Sequence, residues 1–200
     1  MDTRPILVIG SSNAVRLAKL LPGGRRDVKR WTGPYAVSGA TLKSLNKLLD
    51  IPYYDGSSGA AIPVVVVGIN DIRKQHFDIC NGRSTLQRAV TIVRLHTKEL
   101  VDRSVYTFPQ GYIWVETISA EFISELPGWK FYTSILREVI NSEAGRGRGC
   151  LRFVPTADLA DPQLYESKFH DGRRDFNHLN SNGIGIVISR VVNAIHSLRL

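Results

Sequence analysis

Apolar residues fall into two kinds of pattern along this chain. Short continuous runs, "PILVIG" at 5–10 and "IPVVVVG" at 62–68, are rich in β-branched residues and stop at Gly. Runs of that length without a polar face predict strands buried on both sides, as in a parallel sheet. "SVYTFP" at 104–109 and "CLRFVP" at 150–155 are weaker runs of the same kind that stop at Pro, and "YAVSG" at 35–39 is a shorter one. Elsewhere apolar positions recur every three or four residues, at 12–21, 40–49, 85–101, 127–141 and 184–198, which predicts amphipathic helices. Strand and helix alternate, so the expected fold is α/β, with helices packed on a parallel sheet in one domain covering 1–200.

Composition agrees with an ordinary globular chain: 200 residues, 43% hydrophobic and 22% charged. There is no run of eighteen apolar residues for a membrane span, and "MDTRPILVIG" lacks the cationic start and long apolar stretch of a secretory signal. Cys80 and Cys150 are too few for a disulfide framework, so an intracellular, cytoplasmic setting is expected. Charge changes the picture more. A net charge of +8 favours polyanionic partners, either RNA or an anionic membrane surface. The cations cluster at Arg25, Arg26, Lys29 and Arg30, at Arg146, Arg148 and Arg152, and at Arg173 and Arg174. Solvated loop charge is the alternative for all three clusters.

In open parallel sheets, sites form beyond the carboxyl ends of the strands. Four stretches stand there: "GSSN" at 10–13, "VSGAT" at 37–41, "GIND" at 68–71 and "DFNHLNSNG" at 175–183. Each alone is an ordinary element. Ser12 is an N-cap, Gly39 a turn, Asn70 an Asx-type turn braced by Asp71, and His178 a loop histidine. Together they suggest chemistry. Asp175 sits three residues before His178, within reach of its Nδ1, and an imidazole so held takes a proton from a serine hydroxyl. Asn180 and Gly183 then close the loop and begin the last helix.

These four blocks resemble the signature blocks of the SGNH, or GDSL, hydrolase superfamily: "GSS", Gly39, "GIND" and "DFNH". The resemblance runs from about residue 5 to 198 and departs at Ser11, where the family carries Asp. It implies a three-layer α/β/α sandwich, flavodoxin-like, with about five parallel strands. It implies Ser12 as nucleophile, His178 as general base and Asp175 as the group orienting it. The N–H groups of Ser12 and Gly39, with the Asn70 side chain, would make the oxyanion hole. No cofactor or metal is needed for such an acyl hydrolase, whose substrate would be a small acyl ester or a lipid. The superfamily also includes RNA-binding domains with decayed catalytic residues, the C-terminal domain of Oskar among them, and esterase domains of non-LTR retrotransposon proteins. Binding RNA through the basic clusters is therefore the alternative function.

Overall fold

The computed structural model describes residues 6–50, 61–108, 111–118, 128–146, 151–166 and 178–198, and the backbone alone at 169–170 and 173–174. A four-stranded parallel sheet lies at its centre: β1 (Ile6–Gly10), β2 (Ile62–Val66), β3 (Tyr112–Val115) and β4 (Leu151–Val154), neighbours in that order. The described helices are α1 (Ser12–Leu20), α2 (Lys29–Thr32), α3 (Leu42–Leu48), α4 (Ile69–Cys80), α5 (Leu86–Thr107), α6 (Trp129–Gly145) and α7 (Ser181–Ser197). A small antiparallel hairpin pairs β5 (Phe169–His170) with β6 (Arg173–Arg174).

Alternation along the strands divides the core in two. Leu7, Ile9, Val65, Tyr112 and Trp114 pack with residues of α3 to α6 on one face. Val8, Val64, Val66, Ile113 and Val115 pack with residues of α1 and α7 on the other. Both faces of every central strand are thus covered, which is why these strands read as continuous apolar runs. The result is the expected α/β/α sandwich.

The run at 35–39 contributes only a parallel bridge, Ala36 to Gly10, on the outer side of β1. Val37, Ser38 and Gly39 are exposed, so nothing buries that run as a full strand. Counting the bridged segment second in chain order, the sheet reads 2-1-3-4-5, the flavodoxin-like order.

One strand lies elsewhere than its pattern suggests. Residues 104–107 continue α5, and the third strand is Tyr112–Val115, just past Gly111. Thr97, Leu100, Val101, Ser104 and Phe108 are all buried at helical spacing, while Tyr106 and Thr107 of the same run face outward, as one helix face does and a strand buried on both sides does not. The "GIND" block also differs, since Asn70 and Asp71 occupy the first turn of α4 instead of a loop. Among the described residues no helix is long and apolar enough to cross a membrane.

Candidate active site

The corner after β1 is built by close approach. Gly10 has φ of 149°, and a Cβ there would lie 1.9 Å from the Val66 carbonyl oxygen, so only glycine lets the chain turn so near β2. Ser11 then donates its N–H to that same oxygen at 3.1 Å, and α1 begins. The two serines part here. Ser11 is buried, makes no capping bond, and its Oγ has no partner among the described residues. It faces a small space of about 10 Å³ beside Asn13, Val66 and Ile118. Ser12 instead opens onto a cleft of about 500 Å³. Its backbone N–H lies in the first turn of α1, where amides have no intrahelical acceptor and the helix dipole favours negative charge.

Across the cleft, His178 places Nε2 2.8 Å from Ser12 Oγ. The loop that carries it is clamped on both sides. Its carbonyl accepts the Glu166 N–H at 2.9 Å, and Leu179 forms a bridge with Tyr165. Asn180 caps α7 by accepting the N–H groups of Asn182 and Gly183. The Asn180 amide also donates to the carbonyls of Gln163 and Tyr165 at 2.7 and 3.1 Å. An ion pair from Arg16 to Glu166 at 2.6 Å ties α1 to the same segment. Asp175, expected to orient the imidazole, lies outside the described residues.

The other two blocks meet each other, and Ser38, next to Gly39, lines the same cleft as Ser12 and His178. Gly39 has φ of 80°, and a Cβ there would touch nothing within 4 Å, so its backbone faces open space. The Asn70 amide donates one hydrogen to the Ala40 carbonyl at 2.9 Å, leaving its second hydrogen for another acceptor. Asp71 receives the Leu42 N–H on both carboxylate oxygens, at 3.2 and 3.0 Å. The start of α4 therefore holds the Gly39 loop by two residues. Burial raises the Asp71 carboxyl to about 7, against which the Leu42 hydrogen bond pulls it down.

Solved structures share this architecture. A GDSL-like lipase from Bacteroides thetaiotaomicron superposes with a TM-score of 0.65 at 14% identity, covering 97% of this chain and 88% of that one. An Axe2 variant, an acetyl-xylooligosaccharide esterase from Geobacillus, gives 0.61 at 15% identity over 97% of this chain and 94% of the other. The fold is that of the GDSL-like hydrolases. The OSK domain of Drosophila Oskar shares it too, with a TM-score of 0.58 at 16% identity, covering 96% of this chain and 86% of that domain. No family profile matches the sequence, and no curated protein matches it by sequence.

On this GDSL-like fold the basic clusters separate. Arg25, Arg26, Lys29 and Arg30 are exposed around α2. Arg146 pairs with Glu143 at 3.4 Å, and Arg152 donates to the carbonyls of Leu151 and Ser197. Arg148 lies outside the described residues, and Arg173 and Arg174 are described in backbone only, as β6. Sequence reasoning missed Arg16 and Glu166. Arg16 carried a signal, four residues after Ser12 on one helix face. Glu166 carried none, because its partner is 150 residues away.

Proposed function

We propose that the protein is a serine acyl hydrolase acting on a small acyl ester or lipid. The contact that supports this is Ser12 Oγ at 2.8 Å from His178 Nε2, at the carboxyl edge of a GDSL-like sheet. Neutral His178 would take the Ser12 proton as Oγ attacks the ester carbonyl. The oxyanion so formed would receive the N–H groups of Ser12 and Gly39 and the second hydrogen of the Asn70 amide. Protonated His178 would then return its proton to the leaving alcohol, and water would repeat the cycle on the acyl-enzyme. Asp175 would hold the imidazole with Nε2 unprotonated. Each oxyanion donor in such a site typically contributes ~10²–10³ in rate.

Hydrolysis of short p-nitrophenyl esters tests this. An organophosphonate should label Ser12, and Ser12→Ala should lose both label and turnover while unfolding at the same urea concentration as the wild type. Turnover in Ser12→Ala, or label on Ser11, overturns the proposal.

The four exposed cations around α2 support a second function, binding RNA, as does the shared fold with the OSK domain. It competes with the first only if Ser12 is inert.

A further inference from the structure

The cleft that holds Ser12 and His178 does not end at them. It runs along the outer face of α1, past Val15 and Arg16, to Lys19, Leu20 and Arg25. A second concavity of about 600 Å³ adjoins it and shares Lys19, Leu20 and Arg25. Ser12, Arg16 and Lys19 are spaced by four and three residues, so they lie on one side of α1. Their charges are unequal in use. Arg16 is engaged by Glu166, the only carboxylate among the described residues that line the cleft. Lys19 and Arg25 are both exposed, and neither has a carboxylate partner among the described residues. Among the described residues, two cations thus remain uncompensated at one end of a cleft whose other end is the serine.

We propose that Lys19 and Arg25 form an anion subsite, and that the preferred ester carries a phosphate or carboxylate at its far end. This rests on Ser12 acting as proposed above. Seven residues along a helix separate Ser12 from Lys19, about 10 Å at 1.5 Å per residue. The anion would therefore sit about 10 Å from the reacting carbonyl, a reach of roughly eight chain carbons. Val15, Leu20 and Ile184 line the same cleft and would cover the methylenes between. A neutral acetyl sugar or an uncharged lipid would leave both cations without a partner. The charge at this mouth thus chooses among esters that Ser12 alone would treat alike.

Two substrate series decide it. The first is p-nitrophenyl octanoate against its ω-carboxylate and ω-phosphonate analogues. The second is octyl acetate against the acetate of 8-hydroxyoctyl phosphate, which places the anion on the alcohol. At low salt, kcat/KM for the charged member of one series should exceed the neutral one about tenfold or more. The ratio should fall towards one in Lys19→Gln/Arg25→Gln and persist in Lys98→Gln, an exposed lysine on α5 across the sheet. A ratio of one or less in both series, or a preference that survives in the double variant, overturns the subsite. If no ester is turned over, the hydrolase proposal fails, and calorimetric binding of octyl phosphate judges the subsite alone. Binding lost in the double variant upholds it; no binding refutes it. An oligonucleotide that binds through Lys19 and Arg25 where octyl phosphate does not would assign them to a polyanion surface and refute it equally.

Discussion

Two adjacent serines follow Gly10, and the fold treats them in opposite ways. The resemblance picked Ser12, which follows Gly10 by two, but the residue types alone did not show why, because exposure at a strand-to-helix corner depends on what packs behind it. Behind Ser11 stand Val66 and Ile118, and its buried hydroxyl has no partner among the described residues. A buried hydroxyl left unsatisfied costs about 1–3 kcal/mol, whereas losing a working N-cap costs about 1. Ser11 makes no capping bond, so only the first magnitude applies. Ser11→Ala should therefore be about 1 kcal/mol more stable in urea unfolding and should keep esterase turnover. A loss of stability would show that Ser11 is satisfied in solution, by a water in its small cavity.

At the scale of elements, the blocks that announced a site were also those whose secondary structure was hardest to read. "GIND" looked like a loop because Gly and Asn punctuate strand ends, but α4 follows with Ile69, Ile72, Gln75 and His76 buried at helical spacing. "SVYTF" looked like a strand because its residue types favour β structure, and burial along one face of α5 overrode them. Asp71 shows what the α4 placement does. Its folded carboxyl titrates near 7 while an unfolded one titrates near 3.8, so the folded state holds a proton between those values that the unfolded state has released. Its contribution to stability is therefore greatest below about pH 4, declines as pH rises to about 7, and is flat beyond. Between pH 5 and 8 this group should lower stability by on the order of 2 kcal/mol. Asp71→Asn keeps an acceptor for Leu42 and removes the titration. Urea unfolding at both pH values should thus show the wild type losing more stability than the variant, and equal losses would place the ionisation elsewhere.

Taken as a whole molecule, the net charge of +8 is unevenly arranged. Residues 19–30 hold Lys19, Arg25, Arg26, Lys29 and Arg30 against one acid, Asp27, and all five cations are exposed. Arg94, Arg146 and Arg190, by contrast, are engaged with Glu143 or Asp158. If this strip binds RNA, each neutralised phosphate on a single strand contributes about −0.7 to the slope of log affinity against log salt. Reversing Arg25, Arg26, Lys29 and Arg30 to Glu should abolish most of that slope in a fluorescence titration with a labelled single-stranded RNA. Affinity unmoved by both salt and reversal would leave the strip as solvated surface.

The pairing of Ser12 with His178 spans 166 residues. A ribosome would therefore deliver the serine corner 166 residues before the histidine. Until α7 docks beside α1, no imidazole stands at the serine, whatever the sheet has already achieved. If this pair hydrolyses esters as proposed, a chain whose α7 has not docked should be inactive, and ester turnover would time that docking step in a way that helix content alone could not.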